Sequence, residues 1–455
     1  MSEPSQEQKS AGVLRNRTDR WAVLAGVLVA ALLRLWNLDY MEFKGDEANN
    51  LYVASYITLR VGFPLVGMRS SLGTFNPPLF TYLMALPLSF SRNPVVATAF
   101  VALFNCAAVG LLYAFCRRYF NRTVAVVAAV FFAVNPWAVI YSRKIWQQDA
   151  LPLFVVGFFY CLFAVVCEGR KKFLPGCFAC FAAVTQLHLS SIYYLAVFAI
   201  ALLWFRPKVG WGYYAGGIGL VFLIYAPYVA FDVINPGYNW EIYLRHLDLP
   251  SRFHPEALTV PFVLGNTLGF MHFVDWPWLD VLQGILIAAG ALYAMLHARE
   301  ANYLITALWL GVPLVFLLIS KLDVLPPHYF LFLYPVQFVL LGILANALML
   351  QLEARRVLRS GVAALLALLA AYQLQSSIKF VTSIDDQPNV AWEEYGAEYG
   401  PPFRYRVEEI RRWVAQGTTG PEQVQKKLLE GKPPNWTRKY DFPATAYIVE
   451  NLDAM

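Results

Sequence analysis

Residues 21–38 read WAVLAGVLVAALLRLWNL, an apolar run with one charge, Arg34, and Phe43-Lys-Gly-Asp-Glu-Ala-Asn49 follows almost at once. A run of this length and character is expected to cross a bilayer as a helix. The adjacent acids Asp46 and Glu47 then stand just beyond the point where the chain leaves the membrane. Ionisable groups beside a bilayer are costly unless hydrated, paired or employed, so this pair is a functional-site candidate. The alternative is a solvated loop with two ordinary surface acids.

Composition extends this reading to the whole chain. Of 455 residues, 58% are hydrophobic and only 15% are charged, against roughly 25% charged in a soluble domain. Long apolar runs recur between short charged ones, so the expected class is an all-α polytopic membrane protein. No small-residue cleavage site follows residues 21–38, which read as a retained first helix and not as a leader. The six cysteines lie in or beside apolar runs, suggesting neither a disulfide framework nor a cysteine-based metal site. The net charge of +6 reflects membrane topology and gives no reason to expect nucleic acid.

About eleven spans are expected, near 21–38, 95–115, 123–141, 151–168, 173–187, 191–205, 211–230, 279–297, 301–319, 328–350 and 360–378. Basic groups alternate with them: Arg15, Arg17 and Arg20; Arg117, Arg118 and Arg122; Arg170, Lys171 and Lys172; Arg206 and Lys208; Arg299; then Arg355, Arg356 and Arg359. By the positive-inside rule these groups and residues 1–20 are cytoplasmic. Residues 39–94, 231–278 and 379–455 then fall on the external or periplasmic side, together with Asp46, Glu47, Arg143, Lys144, Asp149, His188, Lys321, Asp323 and His328. Within 39–94, Pro78 can start a helix. The run Leu79–Leu88 is too short for a confident span, and a helix at the outer interface is expected there.

Four elements in order carry a resemblance. They are Gly45-Asp46-Glu47-Ala48; Phe75-Asn76-Pro77-Pro78-Leu79-Phe80; Tyr141-Ser142-Arg143-Lys144 running to Gln148-Asp149-Ala150-Leu151-Pro152; and His328-Tyr329-Phe330 through Tyr334-Pro335. Together they resemble the dolichyl-phosphate-mannose protein mannosyltransferase superfamily. Within it they more closely resemble the bacterial and archaeal relatives that include aminoarabinose transferases, membrane glycosyltransferases of the GT-C type. The similarity covers about residues 20–350. It implies transfer of a sugar, a hexose or pentose, from a polyprenyl-phosphate donor to an envelope glycan, lipid or protein hydroxyl.

That chemistry assigns expectations to residues. The acceptor hydroxyl must lose a proton as it attacks the anomeric carbon, and a carboxylate serves as general base. The resemblance makes Asp46 the base; Glu47 orients it, binds acceptor or holds the loop. A single displacement favours inversion of the anomeric configuration. The leaving lipid phosphate needs donors, for which Arg143, Lys144, Lys321, His328 and Tyr329 are the candidates; membrane anchoring is the alternative for Arg143, Lys144 and Tyr329, and pairing with Asp323 for Lys321. Asp149 is a charge at a helix N-terminus, or a substrate contact, a metal contact or a group that tunes the acidic pair. His246, Arg252 and His254 of the 231–278 segment are acceptor-side candidates, with His272 and Asp275 beside them and no specific zinc spacing; His188, between two short apolar runs, is either a cavity residue or a structural histidine. A preassembled lipid-linked donor needs no nucleotide cofactor. The sequence leaves a divalent cation open and assigns it no ligands.

Residues 379–455 read as a small external α/β domain, with helices at Arg404–Val414 and Pro421–Leu429 and an edge strand at Thr445–Val449. Two rival classes stand beside the enzyme. A transporter or flippase for an anionic lipid-linked substrate would use Arg34 and the external charges, and a noncatalytic scaffold would use the large loop and tail.

Overall fold

The computed structural model describes residues 17–70, 72–259, 277–321, 327–386, 402–430 and 441–455. In chain order the helices are α1 (Arg17–Leu35), α2 (Gly45–Thr58), α3 (Leu79–Leu88), α4 (Pro94–Tyr119), α5 (Arg122–Val134), α6 (Pro136–Tyr141), α7 (Leu151–Val166), α8 (Leu174–Leu187), α9 (Tyr194–Phe205), α10 (Trp211–Ile234) and α11 (Tyr238–Leu247). The strand β1 (Arg252–Phe253) precedes α12 (Pro277–Leu296) and α13 (Ala301–Leu318); β2 (Ile319–Ser320) follows. The chain continues through α14 (Tyr334–Gln351), α15 (Arg356–Asp386), α16 (Phe403–Ala415), α17 (Pro421–Leu429) and α18 (Phe442–Glu450).

Ten of the eleven expected spans each fall mainly on one helix, and 123–141 falls on two. Seven helices among the described residues are long and apolar enough to cross a membrane: α4, α7, α10, α12, α13, α14 and α15, some with an adjoining turn. The protein is a multi-pass membrane protein. The other four expected spans are shorter or more charged. Helix α1 carries Asp19, Arg20 and Arg34, α8 and α9 have 14 and 12 residues, and the run 123–141 is split into α5 and α6. Helix α3 spans ten residues, about 15 Å, half the thickness of a hydrocarbon core.

The split between α5 and α6 has a local cause. Pro136 has no N–H to offer the Phe132 carbonyl, so the helical ladder is interrupted. A carbonyl left unpaired in an apolar bundle costs about 1–3 kcal/mol. Arg34, fully buried in α1, answers it by donating to Phe132 O at 3.0 Å and Ala133 O at 2.8 Å. From α15, Ser377 Oγ donates to Val134 O at 2.7 Å. The one charge in the first span is thus the mend of a break in a neighbouring helix.

Helix α14 is the centre of the bundle, buried from Tyr334 through Ile343. Two glycines let backbones close on it. A Cβ on Gly290 of α12 would lie 2.2 Å from the Leu340 carbonyl oxygen, and one on Gly342 would lie 2.8 Å from that of Val124. Small residues at such crossings replace the hydrophobic drive that lipid removes. At one end of the bundle Asp19 meets Arg117 at 3.1 Å, and Arg118 meets Glu168 at 2.5 Å. The segment after α1, α2 and the start of α7 gather at the opposite end.

The C-terminal segment corrects one expectation. Thr445–Val449 is not a strand but lies within α18, and the described part of 379–455 beyond α15 is helical. The strands pair elsewhere, antiparallel, with Arg252 opposite Ser320 and Phe253 opposite Ile319. The described C-terminal helices therefore do not form an α/β domain; they pack against the segment around α2. Phe43 meets Phe403 and Tyr447 with ring centroids 5.5 Å apart in each case, and Tyr52 meets Tyr447 at 5.2 Å.

Candidate active site

Helix α2 begins at Gly45, so Asp46 and Glu47 sit in its first turn, where acids interact favourably with the exposed amides. The two carboxylates face different surroundings. Glu47 is fully buried and its Oε2 accepts the backbone N–H of Lys44 at 2.9 Å. Both acids line a cavity of about 370 Å³ together with Lys44, Trp146, His328 and Asp441, with Asp46 the exposed member of the pair. Asn50 fixes the turn by donating to Asp46 O at 3.0 Å and Ile145 O at 3.2 Å.

Beneath the cavity lies a buried charge cluster. Glu42 and Lys144 are both fully buried and paired at 2.5 Å, and Lys44 pairs with the other oxygen of Glu42. The Lys144 ammonium stands 4.1 Å from the centroid of the Trp146 ring, a cation–π arrangement. Asp149 is buried at the start of the turn leading into α7, and its Oδ2 accepts the Trp146 N–H at 3.2 Å. It holds this backbone as Glu47 holds Lys44, one acid capping each side of the cavity floor.

Carboxylates outnumber ammonium groups here, and burial decides which of them ionise. Burial, then the negative charge of Glu42, pushes the Glu47 carboxyl up to about 8, against the pull of Lys144 and Lys44. Glu47 therefore carries a proton at neutral pH. Asp46 is pushed up less, by the surrounding protein first and by Asp441 second, with Lys44 opposing. Burial separates the two acids: Glu47 is the buried, neutral member and Asp46 the exposed, more readily ionised one.

The other expected site residues divide. His328 lines the cavity, 5.3 Å from the Trp146 ring, and Tyr329 and His188 continue the aromatic chain at 4.7 Å and 5.4 Å. Burial, with His328 adding, pushes the His188 imidazole down to about 3, which keeps it neutral. Lys144 lies under the cavity and not in it. Arg143 points away, fully buried, donating to the carbonyls of Trp36 and Asn37 at 2.7 Å each and more distantly to Leu33 and Arg34. It caps the C-terminus of α1, whose last carbonyls have no intrahelical donors. Lys321 caps α11 in the same way, through the carbonyls of Leu247 and Leu249. His246, Arg252 and His254 stand around α11 and the strand pair, none of them lining the cavity. His272, Asp275 and Asp323 lie outside the described residues. Among the described residues no group of three His, Cys, Asp or Glu side chains is set to hold a metal ion.

Sequence reasoning passed over Glu42, Lys44, Trp146, Asn50 and Asp441. The burial of Lys144, and with it the need for Glu42 as counter-ion, is set by tertiary packing. Asp441 left no signal either, because it comes from the far end of the chain.

The arrangement has structural relatives. ArnT from Cupriavidus metallidurans, in the apo state, matches with a TM-score of 0.58 and 16% identity over 90% of this chain and 82% of that one. The crystal structure of the same protein bound to undecaprenyl phosphate gives 0.57 and 14% over 93% and 84%. The archaeal oligosaccharyltransferase AglB from Archaeoglobus fulgidus, in complex with an inhibitory peptide and a dolichol-phosphate, gives 0.53 and 12% over 96% of this chain and 64% of its own. The chain shares the fold of ArnT and AglB. The family model described as dolichyl-phosphate-mannose-protein mannosyltransferase matches residues 76–231, a stretch holding the Arg143–Asp149 element but not Asp46. No curated protein sequence matches the chain.

Proposed function

We propose that the protein transfers a sugar from a polyprenyl-phosphate donor to a hydroxyl of an envelope glycan, lipid or protein at the external face of the membrane, with inversion. The observation that carries this is Asp46, an ionisable acid open to a cavity whose floor holds a second, protonated acid and whose walls bring Lys44, Trp146 and His328. The fold shared with ArnT, which has been captured with undecaprenyl phosphate, supports the donor class.

Asp46 takes the proton of the acceptor hydroxyl as its oxygen attacks the anomeric carbon. The bond between that carbon and the phosphate oxygen breaks, and the lipid phosphate leaves with the electron pair. Lys44 and His328 offer donors to the phosphate oxygens as charge develops there. The Trp146 face, already polarised by Lys144 behind it, offers a surface for the apolar side of a sugar ring. Glu47, neutral, holds the backbone of Lys44 and thereby the first turn of α2. Arg34, the charge a transporter reading would use, is fixed on two carbonyls.

The test is mass-resolved transfer by the purified protein in lipid, with a panel of polyprenyl-phosphate sugars and envelope acceptors. A glycosylated product identifies donor and acceptor together. Movement of lipid-linked sugar across the bilayer without product would replace this reading with transport.

A further inference from the structure

The C-terminal helices reach the cavity through one side chain. Asp441 immediately precedes α18, and its Oδ2 accepts the backbone N–H of Gly45 at 2.5 Å, across 396 positions of sequence. It lines the cavity beside Asp46. The first amides of a helix have no intrahelical acceptor, so an anionic oxygen at this point both satisfies a donor and complements the dipole of α2. Gly45 permits the approach, since a Cβ there would stand 3.1 Å from Oδ2 and 3.3 Å from Cγ of Asp441.

Asp441 is itself held from behind. Arg406 of α16, fully buried, donates to Phe43 O at 2.9 Å, to Asp441 O at 2.7 Å and to Thr445 Oγ1 at 2.8 Å, and it lies 3.7 Å from Asp441 Oδ1. One guanidinium thus ties the segment leading into α2 to the segment leading into α18. The fork geometry of arginine suits this double anchorage, and lysine could not reproduce it.

We propose that Asp441 is a positioning residue of the transfer reaction, holding the first turn of α2, and with it the Asp46 carboxyl, in place while setting a negative charge beside it. This rests on the transfer reading above. Asp46 is faced by Glu42 and Lys44 from the preceding segment, Glu47 on its own helix, Lys144 after α6, Asp441 before α18 and His328 across the cavity. Of these, Asp441 is the acid acting most strongly to keep Asp46 protonated, second only to burial. Burial pushes the Asp441 carboxyl up as well, while Arg406 and the Gly45 amide act to keep it ionised. A base must be ionised to accept a proton, so the rate rises with pH through the Asp46 pKa. Removing the Asp441 charge moves that rise to lower pH and leaves a weaker base.

The experiment compares Asp441→Asn, Asp441→Ala and Gly45→Ala with the parent, full length in nanodiscs, with the donor and acceptor the parent uses. The readouts are kcat and KM across pH, with hydrogen exchange in the peptide covering residues 41–50. Asp441→Ala is expected to lose about 10-fold in kcat with KM for the donor unchanged, because small misplacements of a reacting group cost that much. The amides of residues 45 and 46 should exchange faster. Gly45→Ala, which pushes the carboxylate back, should follow it. Asp441→Asn keeps an oxygen acceptor and should retain most of the plateau rate with the acidic limb at lower pH. An unmoved limb in Asp441→Asn, or parental kcat and exchange in Asp441→Ala and Gly45→Ala, overturns the proposal. Faster exchange in Asp441→Ala from a parent that makes no product overturns the transfer reading instead, with the cap intact.

Discussion

Replacing Glu47 by glutamine asks whether a buried acid in the first turn of α2 is neutral. In the unfolded chain its carboxyl titrates near 4.5; in the fold, burial and Glu42 raise it to about 8. Between these values the folded state holds a proton that the unfolded state has released, so stability falls as pH rises. Below pH 4.5 both states are protonated, and the acid and the amide that replaces it present similar neutral groups to the Lys44 N–H. Above pH 8 both states are ionised, and the parent bears the full cost of a buried charge. At about 1.4 kcal/mol per pH unit the interval carries about 5 kcal/mol. Glu47→Gln should therefore match the parent near pH 4 and exceed it increasingly up to about pH 8. The assay is thermal unfolding in one detergent at a series of pH values, reading the gap in Tm between variant and parent. A gap independent of pH, or one that favours the parent at high pH, would mean that Glu47 is ionised and stabilised by Lys144, and would refute the separation of roles.

Two further substitutions test other parts of the structure. Arg34→Leu leaves the carbonyls of Phe132 and Ala133 without donors at the Pro136 break, and relief of the buried charge offsets part of the loss. A net destabilisation of about 2 kcal/mol is expected, read as a lower Tm in detergent. Lys44→Ala removes the cation that both lines the cavity and pairs with Glu42. kcat/KM for the lipid donor should fall roughly 10-fold to 100-fold, the worth of one charge-assisted hydrogen bond, as measured by initial rates; an unchanged kcat/KM would remove Lys44 from the phosphate.

The bundle was legible because long apolar runs and the alternation of arginines and lysines are signals spread over many residues. The break at Asn135–Pro136 was not, since it matters only once Arg34 reaches across from α1. Charge was legible in Arg143 and Lys144, but their partners were not. The carbonyls that bind Arg143 belong to the end of α1, and Glu42 meets Lys144 only through tertiary packing. The strand expected at Thr445–Val449 came from the β-preference of Thr, Tyr, Ile and Val. A helix-start signal stood just before it, Asp441 followed by Pro443 in the first turn, and packing against Phe43 and Tyr52 favours the helix. Asp441 itself could be found only from the fold.

The central claim is that Asp46 accepts the acceptor proton, and mass-resolved transfer by Asp46→Asn in lipid beside the parent tests it most directly. The parent should give product, and a variant of unchanged Tm should be about 10² to 10⁴-fold slower. Equal product from both would contradict it.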